Sequence, residues 1–279
     1  MVNRCRNCNQ ESSFSSLYNE GHLLQCANCA AFQFEGPLGN LADLYNQEYY
    51  TGAEYINYEL ASTVYRRNFE RKLAIMKSHL VELPYEKMRV LEIGSATGDF
   101  LEVLRDRGVG QMYGVEASAF ARAKAVERGF KVLDPFSDEY QEKVEELSPN
   151  VVCAWDVWEH LEYPANVFGD LLLKNPSVEL VVLSTVDSGA ILPRIRGKSW
   201  RQFHPPTHVN YPTKKSFELF FKDSKFRVVE NIAFGYSRPL ADYLSIFISP
   251  RHLNKVPLLF KIPLYLNLFD IQLVVAKRA

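Results

Sequence analysis

From Arg89 to its end the chain alternates short apolar runs with amphipathic stretches, and this alternation limits its fold more than any other feature. The runs Arg89–Ile93, Met112–Glu116, Phe130–Leu133, Val151–Trp155 and Glu179–Thr185 read as strands. Apolar runs this short and this continuous suit strands buried on both faces of a parallel sheet. Helices fit between them at about Gly98–Arg107, Ala119–Arg128, Asp138–Leu147 and Pro164–Lys174, with Pro164 at a first turn, where its missing N–H costs nothing. A long irregular stretch, Val186–Pro212, follows the fifth strand. Beyond it lie a helix over about Thr213–Asp223, a strand at Phe226–Ala233 and a last strand at Asp270–Ala276. Repeated βα units of this kind predict a doubly wound α/β domain.

The N-terminal region follows different rules. Cys5-Arg-Asn-Cys8 and Cys26-Ala-Asn-Cys29 are separated by residues 9–25, the spacing of a four-thiolate zinc site. Each pair sits on a tight turn that can aim both sulfurs at one point, and two such turns complete a tetrahedron. The surrounding residues carry few large apolar side chains, so a metal would supply stability that a core cannot. Four protein ligands leave no open position, which makes such a site structural. Cys153, inside an apolar run, reads as a small buried residue. These considerations divide the chain into a zinc-ribbon-like module (1–35), a tyrosine-rich connector and helix (36–85) and a main domain (86–279). The connector holds Tyr45, Tyr49, Tyr50, Tyr55 and Tyr58, and its helix covers about Glu59–Leu80.

A net charge of −1 gives no basic field, so nucleic acid is not the expected partner. The apolar stretch Val256–Phe269 is interrupted by Pro257, Lys261 and Pro263 and is too short to span a membrane. No signal-peptide core follows Met1, and a cytoplasmic location is expected.

The first βα junction reads Val90-Leu-Glu-Ile-Gly-Ser-Ala-Thr-Gly98. Small residues there let a ligand approach the backbone before a helix N-terminus. A glycine-rich loop alone is shared with dinucleotide enzymes. Here, however, Glu92 stands inside the strand, the loop is one residue short of the pyrophosphate-wrapping pattern, and the second strand ends in Glu116. A carboxylate at that position can accept two hydrogen bonds from a ribose diol.

With Glu92–Gly98, Glu116 and Asn150–Pro164 in view, the chain resembles the class I S-adenosylmethionine-dependent methyltransferases over about residues 60–279. The resemblance implies a Rossmann-like, mostly parallel sheet with an antiparallel last strand. It also implies that Glu92, Gly94, Ser95, Ala96 and Gly98 hold the methionine end of the cofactor. Glu116 and Ala117 would then bind the ribose, Asp134 would border adenine, and Trp155 and Asp156 would line the site near the sulfonium. Ala96 departs from the glycine many members carry, but it is still small.

An in-line methyl transfer needs an aligned acceptor and often a base. His160 follows the fourth strand, and His204 and His208 follow the fifth, on the carboxyl side where acceptors bind. Trp200-Arg-Gln-Phe-His-Pro-Pro-Thr-His208 resembles the His-Pro-Pro-x-His stretch of a zinc-ribbon-bearing subgroup linked to sugars and other small molecules. His208 could instead orient a loop, His160 could cap or pack the following helix, and Glu159 with His160 could hold a divalent ion. Residues 236–269 read as an inserted cover whose apolar content suits either a partner subunit, as in a homodimer, or a hydrophobic substrate wall. The expected activity is methyl transfer to a small molecule such as a sugar, nucleotide-sugar or glycan. The alternatives are a nucleic-acid or protein methyltransferase recruited through the zinc module, and a catalytically silent S-adenosylmethionine-binding protein.

Overall fold

The structure is a computed structural model that describes residues 4–18, 22–37, 58–245, 250–253 and 255–279. Tyr45, Tyr49, Tyr50 and Tyr55 of the connector lie outside the described residues. The main domain is built on a seven-stranded sheet. Its parallel members are β4 (Arg89–Ile93), β5 (Gln111–Val115), β6 (Val132–Leu133), β7 (Val151–Trp155) and β8 (Leu180–Val186). Beside β8, β13 (Ile271–Arg278) runs antiparallel, and β10 (Phe226–Ala233) pairs antiparallel with its outer edge. The order β10-β13-β8-β7-β4-β5-β6 is that of a Rossmann-like sheet with an antiparallel strand near one edge.

Alternation along the strands decides which helices each face receives. Val90, Val151, Cys153 and Trp155 join one core cluster with Leu73, Met76, Phe100 and Leu101. Their neighbours Leu91, Val152 and Ala154 join a second cluster with Val144, Phe168, Leu171 and Phe217. Thus α1 (Tyr58–Ser78) and α2 (Asp99–Asp106) cover one face, while α4 (Tyr140–Leu147), α5 (Pro164–Lys174) and α7 (Lys214–Asp223) cover the other. The remaining crossover helix is α3 (Ala119–Glu127), whose Ala125 packs on the first face. Cys153 is wholly buried in a strand that exposes neither face. From β4 the chain adds β5 and β6 on one side and then returns to add β7 and β8 on the other, so β4 and β7 are parallel neighbours at the switch point of the sheet, where a crevice lies at the strands' carboxyl ends.

The N-terminal strands β1 (Phe14–Tyr18), β2 (Leu23–Cys26) and β3 (Phe32–Phe34) form an antiparallel sheet. Its fourth strand is β9 (Asn210–Tyr211), contributed by the main domain. The stretch read from sequence as irregular therefore holds this strand and a short helix, α6 (Ile191–Arg196). Toward the chain end, β11 (Tyr236–Pro239) pairs with β12 (Pro263–Leu266), with small helices α8 (Leu240–Leu244), α9 (Pro250–Leu253) and α10 (Leu258–Lys261) between them. Leu264, Tyr265 and Leu266 of this hairpin are exposed. Among the described residues, no helix is long and apolar enough to cross a membrane.

Candidate active site

The loop after β4 is shaped by three positive-φ residues, Gly94, Ala96 and Gly98. A Cβ on Gly94 would meet Val157 at 2.4 Å, and one on Gly98 would meet Phe130 at 2.8 Å, so both glycines are required by packing and by conformation. Gly98 caps α2, whose N-terminal N–H groups face the crevice. Glu116 fastens the loop from the next strand: its carboxylate accepts from Ala96 N at 2.9 Å and from Ser118 N at 2.7 Å. Burial pushes the Glu116 carboxyl up, against the pull of these N–H groups and of Arg122. Asp134 is held by Arg122 at 2.6 Å and accepts from Phe136 N, so its carboxylate is already engaged at the rim.

Three buried polar atoms at this crevice have no hydrogen-bond partner among the described residues: Glu92 Oε2, Ser95 Oγ and Trp155 Nε1. Such atoms are costly unless something pairs with them. They lie at the carboxyl ends of adjacent strands, where a ligand with an ammonium group and hydroxyls would satisfy them. This donor set, the glycine cradle and the acidic end of β5 fit S-adenosylmethionine.

Beyond Trp155 the chain turns through Asp156, itself at φ +57°. Its carboxylate accepts from Tyr236 OH at 2.6 Å and Ser184 Oγ at 3.0 Å, and Lys72 Nζ lies 3.5 Å away. Burial opposes its charge, but Lys72 and these hydroxyls outweigh burial and hold the carboxyl low. The Lys72 ammonium is buried against the faces of Trp155 (4.9 Å), Tyr236 (5.1 Å) and Phe69 (5.4 Å), and burial pulls its pKa down. Sequence reasoning missed Lys72 and Tyr236. For Lys72 a signal existed, since the helical stripe Phe69, Leu73, Met76 places a lysine on the core-facing side of α1. Tyr236 carries no local signal.

The three histidines meet one another, and Asp156 lies close enough to His160 to act on its charge. Ring centroids of His204 and His208 lie 3.8 Å apart, and those of His160 and His208 lie 4.6 Å apart. His160 Nδ1 donates to the Thr207 carbonyl at 2.9 Å and His208 Nδ1 to the Gln202 carbonyl at 3.1 Å. Burial pushes His208 down to about 2, helped by its two histidine neighbours. Burial also lowers His160. Glu159, whose carboxylate accepts from Thr185 Oγ1 at 2.6 Å, is pushed up to about 8 by burial and by Asp156. His204 is exposed.

Cys5, Cys8, Cys26 and Cys29 converge, with their sulfurs all within 4.8 Å of one another. Cys5 and Cys29 sulfurs are 3.7 Å apart, the edge of a tetrahedron with metal–sulfur bonds of about 2.3 Å. Both turns are built alike. Asn9 N donates to the Cys5 carbonyl and Ala30 N to the Cys26 carbonyl, with Asn9 and Ala30 at positive φ. The residues inside the first turn reach the main domain: Asn7 Oδ1 accepts from Trp158 Nε1, and the Arg6 carbonyl accepts from Ala165 N.

A family model described as a methyltransferase domain matches residues 39–231, more than half of the chain. No curated protein matches. Among solved structures, the chain is similar to magnesium protoporphyrin IX methyltransferase from Synechocystis PCC 6803 with bound S-adenosylhomocysteine. Identity is 13%, coverage 86% of this chain and 98% of that one, and the TM-score 0.53. The same enzyme with S-adenosylmethionine gives 11% identity, 88% and 100% coverage and a TM-score of 0.50. A methyltransferase from Archaeoglobus fulgidus gives 18% identity, 83% and 97% coverage and a TM-score of 0.48. At these identities the two Synechocystis structures speak for the fold; with the family match, the chain belongs to the methyltransferase-domain family and is an S-adenosylmethionine-dependent methyltransferase.

Proposed function

We propose that the chain methylates a small molecule, such as a sugar, nucleotide-sugar or glycan, bound in the recess beyond the carboxyl ends of β7 and β8. The observation that carries this reading is the clustering of His160, His204 and His208, with Asp156 close enough to act on His160, just beyond the strand that carries Trp155. Carboxylate, hydroxyl and imidazole groups gathered in this way suit a compact polyhydroxylated acceptor. The neutral charge of the chain argues against a polyanion.

The cofactor supplies a methyl group on a sulfonium. Glu92 and the Gly94–Gly98 loop would hold its methionine end, Glu116 and Ala117 its ribose, and the Asp134 rim its adenine. Trp155 and Asp156 would face the reacting carbon. His204, exposed and tilted against the ring of His208, is the base that takes the acceptor proton. Its companions have their Nδ1 protons committed to carbonyls and serve to position it.

Zinc bound by Cys5, Cys8, Cys26 and Cys29 would be structural, since all four ligands are protein. The module spends Asn7, Arg6 and β3 on the main domain, which favours a role in holding the acceptor loop over recruitment of a macromolecule. Transfer of labelled methyl from S-adenosylmethionine to a panel of sugars, sugar nucleotides, RNA and protein tests the reading. Labelling of RNA or protein alone overturns it, and cofactor binding with no turnover on any acceptor points to a silent binder.

A further inference from the structure

We propose that Glu159, His160 and His208 form a second metal site, separate from the cysteine cluster, for a first-row divalent cation that holds the acceptor hydroxyl. Its catalytic role rests on the small-molecule reading above, whereas the site itself rests on ligand geometry. One ligand atom from each residue lies within 4.8 Å of the others. Bonds of about 2.1 Å to nitrogen or oxygen need ligand separations of roughly 3–4 Å, so closing on an ion takes side-chain adjustment only.

The backbone is already arranged for this. Glu159 and His160 sit on a single helical turn, Trp158–His160, directly after β7. Val209 N donates to the Glu159 carbonyl at 2.8 Å, which ties the His208 segment to that turn. Tyr211 OH donates to the His208 carbonyl at 2.7 Å and holds the segment from its other side. Both imidazoles place the Nδ1 proton on a backbone carbonyl, leaving the lone pair on Nε2. That outer hydrogen bond is the arrangement by which metal-ligating histidines are oriented. Glu159 is 2% exposed and is steadied by Thr185, so its carboxylate cannot swing away to water.

Two imidazoles and one carboxylate select an ion such as Mn²⁺, Fe²⁺, Co²⁺ or Zn²⁺ over Mg²⁺ or Ca²⁺, and leave coordination positions open. An acceptor with a hydroxyl beside a second oxygen could fill two of them, and the cation would lower the hydroxyl pKa. The step balances without redox change. His204 takes the hydroxyl proton, the oxygen bonds to the methyl carbon, and the carbon–sulfur pair returns to sulfur, giving the thioether.

Co²⁺ titration of the full chain, with zinc already in the cysteine cluster, tests the site. Wild type should take up one further equivalent whose visible bands lack thiolate charge transfer. Glu159→Gln, which keeps the acceptor for Thr185, and His208→Gln should each weaken that uptake at least about tenfold. Their S-adenosylhomocysteine affinity, the check on folding, should stay unchanged. Absence of the extra equivalent, or equal affinity in both variants, overturns the site. Co²⁺ binding with no methylation of any hydroxylated small molecule overturns the acceptor reading instead and leaves the site standing.

Discussion

Thr213 Oγ1 donates a hydrogen bond of 2.7 Å to the carbonyl of Cys29. The same oxygen accepts from Ser216 N and so caps α7, in a box completed by Ser216 Oγ on Thr213 N. One side chain thus joins the fourth cysteine to the start of a core helix, two residues beyond the strand β9 that follows His208. The cysteine module is thus fastened to the segment that carries His208.

Chelation of the zinc proposed for this cluster, or Cys29→Ser, should therefore affect turnover more than cofactor binding. We expect the cysteine site to lose its zinc, turnover to fall at least about tenfold and S-adenosylhomocysteine affinity to change by less than about threefold. Metal analysis, kinetics and calorimetry on one preparation check this. A parallel collapse of cofactor affinity would show that the module supports the whole domain.

Glu116→Ala should weaken S-adenosylhomocysteine binding about 10- to 100-fold, since a charge-assisted contact is worth about 1.5–3 kcal/mol. The variant also removes the acceptor for Ala96 N. Glu116→Gln keeps an acceptor there and should lose less. Unchanged calorimetric affinity in both variants would move the ribose elsewhere.

Burial raises Glu92 well above an ordinary carboxyl, with Asp99 adding to the shift and Lys72 opposing it. A cofactor ammonium arriving at Glu92 would favour the charged form, and the sign follows: binding releases a proton and tightens as pH rises until Glu92 ionises by itself. Calorimetry in buffers of different ionisation enthalpy should record net release, lost in Glu92→Gln. Net uptake would contradict the placement.

Asp156 is the only carboxylate within ion-pair reach of Lys72 among the described residues. Asp156→Asn leaves a buried ammonium without its counter-charge. The cost should be about 1–3 kcal/mol, below the 3–5 of a fully buried pair because the Asp156 side chain is 37% exposed. Lys72→Met in the same chain should restore part of the loss, as a denaturation double-mutant cycle would register. Strict additivity would mean that the two charges do not interact.

His204→Ala should lower the turnover number about 10²- to 10⁴-fold with cofactor affinity unchanged. The deficit should shrink at high pH, where the acceptor ionises without help. A raised KM with an unaltered pH profile would make His204 a positioning residue.

By itself the sequence determined the α/β alternation, the tight glycine-containing loop after β4 and the four convergent cysteines. Each is a local signal. Arg89–Ile93 and Val151–Trp155 declare buried strands by composition, Gly94 and Gly98 answer to backbone sterics, and paired cysteines answer to the geometry of one ion. The antiparallel last strand and the subgroup of the His-Pro-Pro-x-His stretch came from resemblance. Only the tertiary structure placed Lys72 under Asp156, because a buried lysine owes its position to the aromatic faces of Trp155 and Tyr236, far away in the chain. It alone brought His208 onto Glu159 and His160, and β9 onto β3, because those contacts close long loops whose cost only packing of the finished domain can offset.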